Sequence, residues 1–507
     1  MKTTNLEQIK ELGITENDVK NQINLFKKGT NYIKLDGPAL LGKNIIKFKD
    51  VEYDLPSYIK LQSFIPASGA ATRMVKLLYN TLDEINNNPN FKISKDDSLQ
   101  SLSYFFENLH KFSFYNQLKA CLANDDFDIE ELLQSENYKI IIEYILFDKG
   151  LGYGNLPKAL IYFHTDNQTP VFAFEEHLNE SAKLNNSGIA YLHFTISPDH
   201  IEMFKRQLDL LVPKYEKKYN CKFEISYSIQ EPSTNTIAVN PDNTPFVNSD
   251  GSLLFRPAGH GALIHNLNNI DADIITIKNI DNVLPNSKND IIIEYRKKMI
   301  VSIINYYNKR NHLLDILDNM IDTNNYDSSK IKTIEEEVVN LFLMFLPNDY
   351  LNLPENKKVI VLKKMLDRPI RICGMVKNEG EPGGGSFVVE DKAGNKSLQI
   401  VESSQINHND EAQEAIFKSS THFNPVDIVC IIKDKDGKKY NLLDFVDKDA
   451  YFISEKSKDG KPLKALELPG LWNGAMGSWI TIFAEVPIET FNPVKTVNDL
   501  LREQHIC

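Results

Sequence analysis

Of the chain's 507 residues, only five are cysteine and two are tryptophan. Cys121, Cys221, Cys373, Cys430 and Cys507 stand far apart and include no CxxC pair. That spacing excludes a disulfide framework and a zinc ribbon and suits a reducing compartment. No apolar run approaches the roughly 20 residues that span a bilayer, and Met1-Lys2-Thr3-Thr4-Asn5-Leu6-Glu7 carries no apolar signal core. The expectation is a soluble, cytoplasmic protein without a membrane partner. Basic charge is also in deficit, with a net charge of −12. Nucleic acid, whose phosphates need a basic footprint, is thereby excluded as the main partner. The Walker loop, the GxGxxG fingerprint and the kinase signatures are missing. Glu175-Glu176-His177-Leu178 lacks the second histidine of a zincin. There is no internal repeat and no low-complexity tract.

What remains is an ordinary globular composition, 42% hydrophobic and 25% charged, over a length that admits several domains or one enzyme domain with insertions. One stretch organises the rest: Ser63-Phe64-Ile65-Pro66-Ala67-Ser68-Gly69-Ala70-Ala71-Thr72-Arg73-Met74-Val75-Lys76. An apolar strand ends in small residues, and a helical pattern opens through Val75, Leu77 and Leu78. Small residues at a strand-to-helix turn let backbone N–H groups approach an anion, and the helix start adds partial positive charge. Arg73 and Lys76, three apart, share a face. The same stretch also reads as a plain tight corner.

In chain order, residues 1–55 read as a helical extension, with Thr15 as a cap, and 56–507 as one catalytic domain. Helical insertions are expected near 77–150, where Leu102, Phe105, Phe106, Leu109 and Phe112 form one face, and near 290–365. Between them, strands at 159–164, 190–195 and 223–228 alternate with helices from Phe174 and from Pro198 to about Tyr219. This alternation implies parallel pairing in a doubly wound sheet, with ligands beyond the carboxyl ends of the strands. Phe255 to Leu263 is a second strand-to-helix turn built of small residues. Asp273 to Asn282 is a strand ending in Asp and Asn. Residues 375–387 read as a flexible polar loop and 398–404 as a strand carrying Glu402. The turn at 420–429 leads into a further strand, both tryptophans belong to the core, and an amphipathic helix closes the chain.

If the first turn holds a triphosphate, the chemistry is in-line displacement at phosphorus, which needs positioning and positive charge. Arg73 and Lys76 would then neutralise the leaving pyrophosphate. Asp281 would hold Mg²⁺, which commonly takes one or two carboxylates plus phosphate oxygens. Lys495 would be a second cation, and Glu402 could accept a pair of sugar hydroxyls. Each has a plainer alternative: Asp281 a turn residue, Glu402 a solvated strand residue, Lys495 a surface lysine. Likewise Gly383 to Gly385 could be a hinge, and His164, His193 and His260 satisfied structural histidines.

Taken together, the motifs carry a resemblance. Pro257-Ala258-Gly259-His260-Gly261 followed by Asn279-Ile280-Asp281-Asn282 resembles the PPGHG-type loop and NIDN strand end of UDP-glucose pyrophosphorylases. In that family the loop contacts nucleotide and the strand end lies by the phosphates. Phe491-Asn492-Pro493-Val494-Lys495-Thr496-Val497-Asn498-Asp499-Leu500-Leu501 is similar to the family's FLPVKTTSDLL segment, whose lysine contacts phosphate. Val401-Glu402-Ser403-Ser404-Gln405-Ile406 and Phe423-Asn424 resemble the VEYSEI strand and FN turn of UDP-N-acetylhexosamine pyrophosphorylases, and Gln230 matches a uracil-reading Gln. As a whole the chain resembles a bacterial domain-of-unknown-function family distantly related to these enzymes. Its first loop, Ser68 to Met74, is poorer in glycine than the family's GGxGTxM or GxGTRL, and no C-terminal β-helix is expected.

The resemblance implies an α/β, three-layer nucleotide-diphospho-sugar transferase fold (GT-A, Rossmann-like) with a mixed central sheet. It implies a Mg²⁺-dependent nucleotidyltransferase acting on UTP or another NTP and a sugar 1-phosphate. In that scheme Ser68, Gly69, Ala70, Ala71 and Thr72 cradle phosphates, while Arg73, Lys76 and Lys495 act in catalysis. Gln230, Gly259, His260 and Gly261 contact the base or ribose, and Asp281 holds the metal. Glu402, Asn424, Lys377 and Gly384 hold the sugar. The alternative is a nucleotide-sugar sensor or scaffold that kept the fold and lost turnover. The sugar, the nucleobase and the oligomeric state stay open at this stage.

Overall fold

The computed structural model describes residues 3–49, 54–69, 71–88, 90–185, 187–380 and 383–506. The chain divides into two compact units. The larger comprises Met1–Leu61, Gln230–Ile277 and Arg296–Ile488, the smaller Gln62–Ile229, Lys278–Tyr295 and Glu489–Cys507.

In the smaller unit, strands Leu61–Pro66, Ile189–Thr195 and Lys222–Ser228 pair in parallel, with Gln62 opposite Tyr191 and Leu192 opposite Ile225. Helices Ala173–Leu184 and Ile201–Tyr219 alternate with them, as the sequence pattern predicts. The apolar run at 159–164 behaves differently from the sheet strand expected there. Tyr162–Asp166 folds back antiparallel onto Thr169–Phe172. Asn167 and Gln168, at φ 49° and 66°, supply the two left-handed residues of a tight hairpin turn.

Helix Ala173–Leu184 buries almost every residue, including Glu175, Glu176, His177, Asn179 and Glu180. Such burial is tolerable because the polar atoms are paired. Tyr215 Oη donates to Glu175 Oε2 at 2.8 Å, His164 Nδ1 lies 2.9 Å from Glu176 Oε1, and Lys278 Nζ donates to Glu180 Oε1 at 2.7 Å. The 77–150 region is helical in pieces: Lys76–Asn87, Leu102–Glu107, Tyr115–Asn124, Ile129–Gln134 and Tyr138–Leu146. Phe105, Phe106, Leu109 and Phe112 from the expected face join its core.

The larger unit is built on a mixed sheet. Ile370–Lys377 runs parallel to Ile480–Glu485 and antiparallel to Asp427–Ile431 and His422–Asn424. Gly384–Glu390 pairs antiparallel with Lys34–Pro38, Lys396–Val401 and His422–Asn424. The first residues are helical only to Lys28, with Thr15 capping helix Glu16–Lys28 through a box with Asp18. Strands Lys34–Pro38 and Ile45–Ile46 follow and enter the sheet. The 290–365 pattern resolves into helices Asp290–Asp322, Ser328–Asn340 and Glu355–Leu366.

Two expectations are corrected. Residues 375–387 are not a loop throughout: 375–377 and 384–387 are strand, and Met375, Val376 and Phe387 are buried. The closing amphipathic helix is only a short 3₁₀ turn, Val497–Leu501, whose start Asp499 caps by accepting the backbone N–H groups of Lys495 and Thr496. Cys121, Cys221, Cys373 and Cys430 are free thiols, and among the described residues no helix is long and apolar enough to cross a membrane.

Candidate functional site

In the smaller unit, segments far apart in sequence converge on the end of strand Leu61–Pro66. Ala67 N–H donates to Thr195 O at 3.0 Å, Ala71 N–H to Leu156 O at 3.1 Å, and Lys158 N–H to Gly69 O at 3.3 Å. The turn is thus pinned to the 156–158 segment. Ser68 is half-buried, while Gly69, Thr72, Arg73 and Lys76 are exposed; Ala70 lies outside the described residues. Arg73 ends the 3₁₀ turn Ala71–Arg73, and Lys76 opens helix Lys76–Asn87. No side-chain hydrogen bond caps that helix start, and the N–H groups of Leu78 and Tyr79 donate to Val75 O at 3.0 and 3.2 Å.

Beside this turn, Asp281 follows strand Ile274–Lys278 as a buried carboxylate. Lys158 Nζ donates to Asp281 Oδ2 at 2.7 Å and to Val494 O at 2.7 Å. Lys495 Nζ approaches the same carboxylate at 3.1 and 3.4 Å. Lys158 is largely buried, whereas the Lys495 side chain is 50% exposed. Burial alone would raise the Asp281 carboxyl, but the two ammonium groups outweigh it and hold it below the usual carboxylate range. Burial in turn lowers the Lys158 ammonium, with Asp281 opposing.

The backbone around this pair is braced on every side. His177 Nε2 donates to Ile280 O at 3.2 Å, Val494 N–H to Asp281 O at 3.0 Å, and Asn492 N–H to Asn282 Oδ1 at 2.8 Å. Asp499 Oδ2 accepts from the N–H groups of Lys495 and Thr496 at 2.9 and 2.7 Å, while Oδ1 accepts from Gln100 and Arg502 at 3.0 Å each. Val497 N–H donates to Met74 O at 2.9 Å, tying this segment to the first turn. Asp281 and Lys495 are therefore brought together as the motifs suggest. Lys158 was not singled out in the sequence. Its only local signal is the turn-rich Gly152-Tyr153-Gly154-Asn155-Leu156-Pro157 just before an apolar run.

The larger unit holds the remaining candidates. His260 stacks on Trp472, with ring centroids 4.0 Å apart and planes 11° from parallel. Leu471 N–H donates to His260 Nδ1 at 2.9 Å. Trp472 Nε1 donates to Glu402 Oε1 at 3.3 Å, and His260 Nε2 lies 3.7 Å from the same oxygen. Trp472, expected in the core, is half-buried at this site. Gly259 takes φ +78°, and a Cβ on Gly261 would stand 2.2 Å from Pro469 O, so this loop accepts only glycine without adjustment. Burial lowers the His260 pKa, with Glu402 opposing.

Glu402 follows strand Lys396–Val401, and Gly384 backs it: a Cβ there would meet Ile400 Cγ2 at 2.5 Å and Glu402 Cγ at 3.6 Å. Gly384 pairs with Asn424, which is a brace. Its Nδ2 donates to Gly374 O at 2.8 Å, and its Oδ1 accepts from Val426 N–H at 3.0 Å, supporting Val426 at φ +61°. Lys377 is exposed at the end of its strand, opposite His422. Gln230 Nε2 donates to Thr234 Oγ1 at 3.2 Å.

Among the described residues no group of three or more His, Cys, Asp or Glu side chains is arranged to hold a metal ion. The donor set at Asp281 fits Mg²⁺ only in the company of phosphate oxygens, since one carboxylate is already shared by two ammonium groups.

A family model described as a domain of unknown function (DUF4301) matches residues 2–506. No curated protein matches the chain. Among solved structures, the chain is similar to UDP-glucose phosphorylase from Trypanosoma brucei, with a TM-score of 0.46 at 13% identity over 98% of this chain and 77% of that one. It is similar to the UDP-glucose pyrophosphorylase from Leishmania major, with a TM-score of 0.44 at 12% identity over the same shares. A mutant of the Leishmania major enzyme in complex with UDP-glucose gives 0.45 at 12% identity, again over 98% and 77%.

Proposed function

The chain belongs to the DUF4301 family, and we propose that it is a nucleotidyltransferase joining a sugar 1-phosphate to UTP or another NTP with release of pyrophosphate. The observation that carries this reading is the Lys158–Asp281–Lys495 cluster, braced through Val494 and tied to the turn after strand Leu61–Pro66. We read the architecture as the nucleotide-diphospho-sugar transferase fold and the setting as cytoplasmic.

In the reaction, an oxygen of the sugar phosphate attacks the α-phosphorus, and the bond to the β-phosphate breaks in line. Such a step asks for positioning and charge compensation. Lys495, half-exposed and held at its backbone by Asp499, reaches the α-phosphate. Arg73 and Lys76, exposed at the uncapped helix start, stabilise the departing pyrophosphate. Ser68 to Thr72 offer N–H groups. Lys158 keeps Asp281 ionised and in place. Asp281 would hold Mg²⁺ together with oxygens of the triphosphate, and the ion would supply further charge neutralisation. In the larger unit Glu402 accepts sugar hydroxyls, with Gly384 behind it and Asn424 and Lys377 nearby in the sheet, and the Gly259-His260-Gly261 loop and Gln230 take the base or ribose.

The experiment is pyrophosphate release from each NTP, with Mg²⁺ and with EDTA, against a panel of sugar 1-phosphates, for wild type and Lys495→Ala. Release that needs one sugar phosphate, stops in EDTA and falls about 10²-fold or more in the variant is the expected result. Silence across the panel with retained UDP-sugar binding would turn the reading to a sensor. Silence without binding would refute it.

A further inference from the structure

We propose that Trp472 and His260 are positioning residues that fix Glu402 as an acceptor for the hydroxyl groups of a bound glycosyl moiety. This rests on the nucleotide-sugar reading above and deepens it. Three observations carry it.

The first is the tautomer. Leu471 N–H donates into His260 Nδ1 at 2.9 Å, so the neutral imidazole must carry its proton on Nε2, on the side facing Glu402 Oε1 at 3.7 Å. The ring is set in that orientation by the indole of Trp472 stacked 4.0 Å away and by Gly470, where any Cβ would stand 2.5 Å from His260 Cε1. The second is convergence. The indole N–H of Trp472 donates to the same Oε1 at 3.3 Å, and the stacked His260 ring, whose Nε2 stands 3.7 Å from that oxygen, holds the indole in place for it. The third is charge. Burial disfavours the imidazolium, so the ring beside Glu402 is neutral and offers the carboxylate no counter-charge. A fixed, half-buried carboxylate repels phosphate and accepts only hydrogen-bond donors. Neutral polyol hydroxyls are the chemistry that answers it.

Hydroxyls can come from the glycosyl group or from the ribose, and the test separates them. Calorimetry would use UDP, UDP-glucose, UDP-N-acetylglucosamine, GDP and GDP-mannose on wild type, Trp472→Phe, Glu402→Gln and the double variant. Trp472→Phe keeps the ring and loses the N–H. The expected result is a loss of about tenfold or more for the nucleotide sugar that binds, with the matching nucleoside diphosphate unchanged. The double variant should lose no more than Glu402→Gln alone, because Trp472 acts through Glu402. Equal losses for diphosphate and nucleotide sugar would give Glu402 to the ribose and overturn the glycosyl assignment. Additive losses or an unchanged affinity would overturn the positioning role. Binding of none of the five by wild type would refute the nucleotide-sugar reading itself, and this proposal with it.

Discussion

Lys158 Nζ lies 2.7 Å from Asp281 Oδ2, although 123 positions separate the two residues in the chain. Lys495, which reaches the same Oδ2 at 3.1 Å, is half-exposed. The two lysines should therefore separate stability from turnover. Lys158→Met leaves Val494 O and Asp281 each without a buried donor, a loss of about 1–3 kcal/mol in urea unfolding. Lys495→Ala removes a solvent-screened contact and should cost under about 1 kcal/mol. Pyrophosphate release should fall in both. Equal stability losses would contradict this division.

The buried Glu176, His164 and His505 set a pH optimum for folding. His164 Nε2 and His505 Nδ1 are 2.8 Å apart, in line with the Glu176 contact. Burial raises Glu176 from its ordinary 4.5 to about 8, and pushes both histidines from 6.5 to about 3. Between pH 4.5 and 8 the folded state therefore keeps a proton on Glu176 that the unfolded chain has released, and this contribution to stability falls as pH rises. Below pH 6.5 the unfolded histidines take up protons that the folded ones refuse, so their contribution falls as pH drops. Thermal unfolding from pH 5 to 8.5 should show a maximum near pH 6.5, and Glu176→Gln should flatten the alkaline side and steepen the acid side. A decline that persists in the variant would assign it elsewhere.

The two glycines flanking His260 differ in what blocks a side chain. At Gly259 the obstacle is the far end of Glu467, with Oε2 2.4 Å from a Cβ, together with φ +78°. At Gly261 it is the Pro469 carbonyl, which is main chain. Gly259→Ala should cost about 1–3 kcal/mol, chiefly because φ +78° with ψ −170° is a region nearly confined to glycine. Gly261→Ala should cost more, about 3 kcal/mol or above, because neither backbone can yield cheaply. Chemical denaturation of both variants ranks them directly, and the reverse order would mean the Pro469 strap is soft.

How much of this was legible beforehand depended on whether the signal was local. The parallel strands and their helices follow from hydrophobic period, and Thr15 from cap chemistry. Asp281, Lys495 and Glu402 stood out because each sits in a short, recognisable neighbourhood. Lys158 did not, since one lysine among many acquires meaning only through a partner brought up by folding. Trp472 was missed for the same reason, its indole N–H being spent on Glu402, 70 positions away in the chain. Gly383 to Gly385 misled by composition: Gly384 and Gly385 are strand residues with Ile400 and Phe387 side chains pressed against them, which glycine permits and which gives no loop. The hairpin at 162–172 was hidden because Asn167 and Gln168 are not the Asn-Gly pair that announces such a turn.

The hydrogen bonds from Ala71 to Leu156 and from Lys158 to Gly69 close the mouth of the helical excursion between them. Its two ends leave and re-enter the body at neighbouring points, so the turn after strand Leu61–Pro66 and the buried Lys158 form one spatial motif whose halves the chain has driven apart. A pattern that demands contiguous letters passes over such a motif. Kinship among chains built this way has to be traced with a gap of arbitrary length allowed at that seam.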